Sequence, residues 1–361
     1  MTTRIGILTG GGDCPGLNAA IRAVVRYARG EKSWDVIGVE NGFEGIYTER
    51  FVELGPRAVS GLLSRGGTIL GSSNRANPFA YPVTLPDGRE EVHDVSDKCI
   101  ENLRSLDLEA LVLVGGDGTM SIGRRLMDKG ISIVGVPKTI DNDLEATEYT
   151  IGFQTAVEVA AEAIDRLHTT AESHDRVIIC EVMGRYAGWI ALEAGLAGGA
   201  DVILVPEIDY DLARVVRALD RRRALGISYS IVVVAEGAKP AGGAYAVVEG
   251  GDATKQERLG GAGQRLAEDL RATTGYDVRV TVLGHTQRGG SPCAFDRILA
   301  TRFGVKAVEL IAEKKFGHVT ALRGGKIVSA PIELAVAKLK QVDPNGEIAA
   351  AARATGVELG A

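Results

Sequence analysis

Short apolar runs alternate with longer amphipathic segments along most of the chain. Runs such as Ile5 to Leu8 and Ala110 to Val114 are continuously apolar, which is typical of strands in a parallel sheet. The segments that follow them, for example 154–171, have the spacing of amphipathic helices. This alternation recurs in two blocks, so we predict an α/β protein. It would have two doubly wound, Rossmann-like domains with parallel-rich sheets and an active-site cleft between the domains.

Several local features depart from this alternation. Asn18 is expected to cap the first long helix, and 57–63 is expected to form a helix. The segment 81–92, with Pro86, Asp87 and Gly88 in its middle, predicts a β-hairpin insertion. The Gly- and Ala-rich segment 239–263 predicts a flexible insertion of unassigned role.

Composition excludes several classes of function. The chain has 361 residues, of which 45% are hydrophobic and 24% charged, and its formal net charge is −6. A nucleic-acid partner held by bulk electrostatics is therefore not expected, and bound anions must meet local clusters of cations. No window approaches the ~18 apolar residues of a membrane span, and the run 5–8 is too short for a signal peptide. We expect a cytoplasmic protein with reduced, buried cysteines.

The stretch from Leu111 to Asp143 carries the central chemistry. An apolar run ends in Gly115-Gly116-Asp117-Gly118-Thr119, and a second ends in Pro137-Lys138-Thr139-Ile140-Asp141-Asn142-Asp143. In a βαβ unit both turns lie at the carboxyl edge of the sheet, where open α/β sheets bind ligands. Glycines and a helix start suit a phosphate, Asp117 is a hard oxygen ligand for Mg²⁺, and Asp141 and Asp143 lie nearby. Together these are the parts needed for phosphoryl transfer.

Two more glycine loops resemble phosphate sites. Thr9 to Gly16 follows the first strand, and Arg65 to Arg75 carries a cation beside its glycines. The first loop is not a G-x-G-x-x-G dinucleotide motif, because Pro15 occupies the place of the third glycine, and it lacks the G-K-[ST] of a P-loop.

The second block places different side chains at its strand ends. Arginine forks suit a phosphate monoester, and a carboxylate suits the hydroxyls of a sugar. The residues concerned border glycine loops and are Arg176, Arg185, Glu236, Arg279, His285 and Arg288. We therefore expect 152–286 to bind a sugar phosphate. Residues 1–151, completed by about 287–330, would bind the phosphoryl donor, and 331–361 would form peripheral helices.

Seven motifs together resemble the 6-phosphofructokinases of the bacterial type. The resemblance extends from about Arg4 to Ala312, and it is strongest in the long motifs PKTIDND and GHTQRGGSP. The others are GGGDCPGLNAAIR, RGGTILGSS, GGDGT, YTIGFQTA and EVMGR. GGDGT alone is weak, because other kinases carry similar sequences.

The resemblance implies a role for each matching residue. Asp141 would be the general base, Thr139 and Asp143 would orient the hydroxyl and the metal shell, and Arg185 would stabilise the transferring group, with Lys138 beside the base. ATP and Mg²⁺ would be the cofactors, with Asp117 as the metal ligand. The donor would be bound by Gly12, Arg75, Gly116, Asp117, Gly118 and Thr119.

The sugar site is implied in the same way. Met183, Gly184 and Glu236 would contact fructose 6-phosphate, and His285 and Arg288 would hold its 6-phosphate. In the family, the equivalents of Arg176 and Arg279 reach that phosphate from a neighbouring subunit. This implies a homodimer or homotetramer with shared sites, with neither nucleic acid nor membrane as a partner.

The motifs leave the phosphoryl donor open. Gly118 is the choice of ATP-dependent relatives, whereas Lys138 is the choice of those that use pyrophosphate. Asn74 also places Arg75 one position later than is usual. We favour ATP, because a glycine permits the nucleotide and a lysine excludes nothing. A reversible pyrophosphate-dependent enzyme is the alternative. A non-catalytic sugar-phosphate or nucleotide sensor is a third, disfavoured because it would not need Asp141.

Overall fold

A computed structural model describes residues 2–84, 88–250 and 258–361. Their contacts divide them into two units. The first holds 2–154 and 288–339, and the second holds 155–250, 258–287 and 340–361.

Strands and helices alternate through both units. In chain order, the strands are β1 (Arg4–Thr9), β2 (Asp35–Val39), β3 (Phe51–Glu53), β4 (Tyr81–Thr84), β5 (Glu90–His93), β6 (Ala110–Gly115), β7 (Ile133–Pro137), β8 (Val177–Val182), β9 (Val202–Leu204), β10 (Ser230–Ala235), β11 (Val247–Glu249), β12 (Arg258–Leu259), β13 (Val278–Val282), β14 (His318–Arg323) and β15 (Lys326–Pro331). The helices are α1 (Leu17–Glu31), α2 (Phe43–Tyr47), α3 (Ser96–Ser105), α4 (Asp117–Asp128), α5 (Phe153–Ser173), α6 (Trp189–Ala197), α7 (Leu212–Ala224), α8 (Ala262–Thr273), α9 (Ala294–Ala312), α10 (Ile332–Val336) and α11 (Glu347–Ala354).

The first unit is built on a seven-stranded sheet in the order β15-β14-β7-β6-β1-β2-β3. Its inner strands are parallel, and β3 and β15 pair antiparallel at the two edges. All residues of β6 and β7 are buried, because α3 and α4 cover one face while α1 and α9 cover the other. The continuous apolar runs are therefore explained by burial on both faces.

The second unit contains a four-stranded parallel sheet in the order β13-β8-β10-β9. Helices α7 and α8 supply one side of its core through Val215, Leu219, Leu266 and Leu270. On the opposite face α6 packs closely against the sheet. A Cβ added at Gly195 of α6 would lie 2.7 Å from Ile203 Cδ1 of β9. The predicted α/β class and doubly wound sheets are confirmed.

Two local predictions were wrong. Helix α1 begins at Leu17 with Gly16 as its N-cap (φ 110°), and Asn18 does not cap it. Instead of the expected helix over 57–63, residues 57–61 form turns and a short 3-10 helix follows at Leu62–Ser64. At Asn18, hydrogen bonds to the 65–69 loop outweigh the local preference for capping the helix.

The two predicted insertions contain antiparallel pairs. Strands β4 and β5 pair as a hairpin, although its predicted turn falls partly on 85–87, outside the described residues. In 239–263, expected to be a flexible insertion, β11 and β12 form a two-stranded antiparallel sheet, and 251–257 again lie outside the described residues.

The C-terminal segment 331–361, expected to form peripheral helices, is divided between the two units. Helix α10 belongs to the first unit, whereas 340–361 belong to the second. There Glu358 forms a parallel bridge with Val202, which extends the sheet beyond β9. Among the residues that the structure describes, no helix is long and apolar enough to cross a membrane.

Helices α1 and α9 pack closely where Gly304 faces α1. A Cβ added at Gly304 would lie 2.7 Å from Ala23 Cβ and 2.9 Å from the carbonyl oxygen of Ala20. Both distances are too short for carbon, so the helices approach this closely only because residue 304 has no side chain.

We predict that Gly304→Ala lowers the free energy of unfolding by about 1–3 kcal/mol, because overpacking forces the helices apart. Gly30→Ala in α1 is the matched control, since nothing lies within 4 Å of a Cβ at that position. The control should gain up to about 1 kcal/mol from helix propensity. Denaturant unfolding measures both, and equal effects would contradict the packing argument.

Candidate functional site in each unit

Three loops of the first unit meet at one sheet edge. They follow β1, β6 and β7, which are adjacent and parallel, so 10–16, 116–119 and 138–143 lie side by side. Backbone bonds join them: Gly10 N donates to Val114 O (3.0 Å), and Lys138 N donates to Gly115 O (3.0 Å).

Thr119 explains why two of these loops need glycine. Its side chain is buried, and a Cβ added at Gly10 or Gly115 would lie 2.5 or 2.4 Å from its Oγ1. Thr119 was predicted to bind the donor, and in the structure it packs between the two glycine loops. The loops can therefore approach each other only through glycine.

Two cations lie against the loop after β1. The buried Lys138 donates from Nζ to Gly12 O (2.5 Å), and Arg288 donates from Nη1 to Asp13 O (3.3 Å). Burial lowers the pKa of the Lys138 ammonium. Arg288, predicted to bind a sugar 6-phosphate, belongs to the first unit in the structure. Positive charge is thus concentrated beside backbone glycines, which suits an anion.

The N-terminus of α4 faces the same edge. Gly116 is its N-cap and Asp117 and Gly118 form its first exposed turn, so the helix dipole favours negative charge here. No atom lies within 4 Å of a Cβ added at Gly118. A side chain at residue 118 would therefore extend into open space.

The loop after β7 is held by its own polar groups. Thr139 Oγ1 accepts from Asp141 N (3.1 Å), and Thr150 Oγ1 donates to Thr139 O (2.7 Å). Asn142, at φ 51°, accepts from Thr150 N at Oδ1 (3.1 Å). These bonds fix the backbone that carries Asp141 and Asp143.

Three carboxylates lie near each other in this unit. Burial, followed by the charges of Asp141 and Asp117, raises the pKa of Asp143 to about 7. Asp143 Oδ1 is buried and has no hydrogen-bond partner among the described residues. A cation would relieve both the repulsion and the missing contact.

These groups fit a Mg²⁺ ion held jointly with a ligand. Within 2–84, 88–250 and 258–361, no group of three or more His, Cys, Asp or Glu side chains could hold a metal. Magnesium commonly takes one or two carboxylates and completes its shell with water and substrate phosphates. The predicted ligand Asp117, together with Asp143, would meet that requirement.

The loop 65–75 is positioned by Asn18. Its Nδ2 donates to Arg65 O (3.1 Å) and Gly66 O (3.0 Å), and its Oδ1 accepts from Ile69 N (2.8 Å). Farther along, Gly11 N donates to Ser73 O (3.2 Å), which brings the exposed Arg75 near the first loop. Sequence reasoning assigned Asn18 to a cap, although a buried amide among apolar helix positions indicates a longer-range role.

The predicted sugar-site residues of the second unit share one sheet edge. The carboxyl ends of β8, β10 and β13 are adjacent and carry Met183, Gly184, Arg185, Glu236 and His285. Gly237 N donates to Gly184 O (3.1 Å), and a Cβ at Gly237 would lie 2.0 Å from Arg185 O. The loops after β8 and β10 are therefore in direct backbone contact.

Gln287 joins this edge to the turn after β13, and sequence reasoning missed it. The residue is fully buried; its Oε1 accepts from Met183 N (3.3 Å) and its Nε2 donates to Gly284 O (3.1 Å). A glutamine inside a glycine-rich motif was the only available signal.

Arg176 and Arg279 lie elsewhere in the second unit. They stand at the amino ends of β8 and β13, opposite the edge just described. Asp277 joins them, accepting from Arg176 Nε (2.8 Å) and pairing with Arg279 Nη1 (2.7 Å). The hydrogen bond from Arg176 lowers the pKa of Asp277. Within one unit, the structure does not bring these arginines together with Arg185, Glu236 and His285.

The fold and these loops define a class of protein: an α/β protein with a cation-lined glycine edge in one unit and a mixed arginine, histidine and carboxylate edge in the other. The family model described as phosphofructokinase matches residues 4–311. The chain belongs to the phosphofructokinase family.

Relatives that are about 50% identical in sequence to this chain are named for two different phosphoryl donors. The ATP-dependent 6-phosphofructokinase 2 of Clostridium perfringens is 51% identical over 99% of this chain and 98% of its own. The pyrophosphate–fructose 6-phosphate 1-phosphotransferase of Amycolatopsis mediterranei is also 51% identical, over 94% of this chain and 96% of its own. A solved phosphofructokinase of Saccharomyces cerevisiae is 33% identical with a TM-score of 0.76, covering 93% of this chain and 45% of that one.

Proposed function

We propose that this chain is an ATP-dependent 6-phosphofructokinase. It transfers the γ-phosphoryl group of ATP to the 1-hydroxyl of D-fructose 6-phosphate, giving fructose 1,6-bisphosphate and ADP in cytoplasmic glycolysis. The observation that carries the proposal is the edge of the first unit, where glycine loops, buried Lys138 and the α4 N-terminus adjoin the Asp141 loop. The family and the name of the Clostridium perfringens relative support it.

Each group in this proposal has a chemical task. The Asp141 carboxylate accepts the proton of the 1-hydroxyl while that oxygen bonds to the γ-phosphorus and the bond to ADP breaks. Arg185 supplies positive charge to the transferring group. Mg²⁺, when bound at Asp117 and Asp143, neutralises donor phosphates. Met183, Gly184, Glu236, His285 and Arg288 bind the sugar phosphate.

Pyrophosphate is the second candidate donor, favoured by Lys138 and by the name of the Amycolatopsis mediterranei relative. ATP is preferred because the open space at Gly118 leaves room for a nucleotide beyond the terminal phosphates. Purified protein with fructose 6-phosphate and equal ATP and pyrophosphate decides between them. We expect ADP to accumulate together with fructose 1,6-bisphosphate. Formation of the bisphosphate with phosphate and without ADP would favour pyrophosphate as the donor. No bisphosphate at all would favour a sensor.

We predict that Asp141→Asn lowers kcat by about a hundredfold or more, because a general base acts in the transition state. The KM for fructose 6-phosphate should change little. Asp128→Asn, in an exposed ion pair with Arg124, is the matched control and should keep kcat. A decrease in kcat of less than about tenfold would show that Asp141 is not the base.

We predict that Gly118→Asp removes ATP-dependent turnover and spares pyrophosphate-dependent turnover. The new carboxylate would lie where we expect the α-phosphate of ATP to pass. Two like charges about 4 Å apart repel by about 4 kcal/mol at an effective dielectric near 20, which would weaken ATP binding by roughly a thousandfold. Gly118→Ala is the control, since its methyl group meets open space. Steady-state rates with both donors measure the effect, and retained ATP activity in the aspartate variant would refute the ATP assignment of Gly118.

Arg176 and Arg279 are proposed to serve the site of a neighbouring subunit in a homo-oligomer. Their position at the amino edge, away from Arg185 and Glu236, supports this. We predict that mixing inactive Asp141→Asn and Arg279→Ala proteins restores part of the activity, because some sites would then contain both native groups. The assay follows subunit exchange by mass, and exchange without recovery would argue against shared sites.

A further inference from the structure

The loop between β8 and α6 carries Arg185 and is held by a distant carboxylate. Gly188 N donates to Glu207 Oε1 (3.0 Å) and Oε2 (3.2 Å). The same Oε1 accepts from Val342 N (2.8 Å), so Glu207 joins the loop to the C-terminal segment. Burial raises the pKa of Glu207, and these backbone donors offset the cost of burying its charge.

The C-terminal segment makes two further bonds to this loop and to the start of α6. Gln341 Nε2 donates to Tyr186 O (2.9 Å), and Trp189 Nε1 donates to Lys340 O (2.9 Å). Lys340 Nζ also lies 5.5 Å from the centre of the Trp189 ring. We call Glu207, Lys340, Gln341 and Val342 the C-terminal clamp.

The clamped loop has little room to move. A Cβ added at Gly188 would lie 2.4 Å from Val205 Cβ, and one at Gly237 would lie 2.0 Å from Arg185 O. The clamp bonds the residues that follow Arg185 directly, at Tyr186, Gly188 and Trp189. A change in the clamp is therefore transmitted to the backbone of Arg185.

We propose that the C-terminal clamp positions the Arg185 loop for phosphoryl transfer, an inference that rests on the proposed role of Arg185. Glu207 and Gln341 are then positioning residues. The family match ends at residue 311, so a segment outside it contributes to the catalytic geometry.

Kinetics of clamp variants provide the first test. Glu207→Gln keeps one acceptor oxygen but replaces the other with an NH₂ group, which cannot accept from Gly188 N. It should lower kcat by about 10- to 100-fold, the cost of misplacing a group by about an ångström. Gln341→Ala removes one exposed hydrogen bond and should lower kcat by about 2- to 10-fold. The KM for fructose 6-phosphate should stay within about twofold in both, because Arg185 acts mainly in the transition state.

Gln264→Ala is the matched control for Gln341→Ala. Gln264 also makes one exposed side-chain hydrogen bond, from Nε2 to Glu268 Oε1 (2.9 Å) on α8. It takes no part in the hydrogen bonds that join the loop to the clamp. Its kcat should equal that of the wild type. Circular dichroism and Tm identify variants that merely unfold, and the exposed Gln341→Ala keeps the test valid if Glu207→Gln does not fold.

Trp189 gives a readout that needs no activity. The chain has two tryptophans, so Trp34→Phe leaves Trp189 as the single emitter. In that background, Glu207→Gln and Gln341→Ala should shift Trp189 emission and increase its quenching by acrylamide, and Gly188 N–H should exchange faster. Gln264→Ala should change none of these.

The outcomes distinguish a failure of the clamp proposal from a failure of the proposed function. Increased quenching with reduced kcat and unchanged KM supports the clamp. Increased quenching with unchanged kcat, or unchanged quenching in a folded variant, overturns it. A wild-type protein inactive with both donors overturns the proposed function instead, while the quenching data still decide whether the clamp holds the loop.

Discussion

The parallel register of β1, β6 and β7 is the constraint on which the first unit depends. Ile7 pairs with Val112, and Val112 pairs with Val134, so three strands end at the same level and deliver three loops to one edge. A shift of one residue would reverse which side chains face α4 and would move each loop relative to its neighbours. The glycines around Thr119 then allow these loops to touch.

The first unit places a buried lysine and a group of carboxylates near one another, which suits a ligand with both negative and positive charges. Lys138 is buried with a lowered pKa, while Asp143 has its pKa raised to about 7 by burial and by neighbouring carboxylates. In both groups burial disfavours the charged form of the side chain. A polyphosphate accompanied by a divalent cation would meet the lysine with negative charge and the carboxylates with positive charge. Local clusters can thus bind an anion in a chain whose net charge is −6.

In the second unit, arginines lie at both ends of the strands of one sheet. Arg185 and His285 lie at the carboxyl ends, and Arg176 and Arg279 lie at the amino ends with Asp277 between them. A six-residue parallel strand such as β8 separates the two sets by the length of the strand, since each residue advances the chain by about 3.3 Å. One sheet therefore offers two separate cationic surfaces.

The sequence alone determined the α/β class, the glycine loops and the family, because apolar runs and motifs such as PKTIDND are local features of the chain. It also identified Asp141, Arg185 and Glu236 as candidates from their places at strand ends. Only the tertiary structure decided what Asn18, Glu207 and Gln287 do, because their hydrogen-bond partners are distant in the sequence. The partners of Asn18 lie 47 or more positions away, and those of Glu207 lie 19 or more positions away. One partner of Gln287 lies 104 positions away. Such contacts leave no periodic signal in the sequence. The α1 cap prediction failed for the same reason: hydrogen bonds between Asn18 and the 65–69 loop outweigh a capping preference of about 1 kcal/mol.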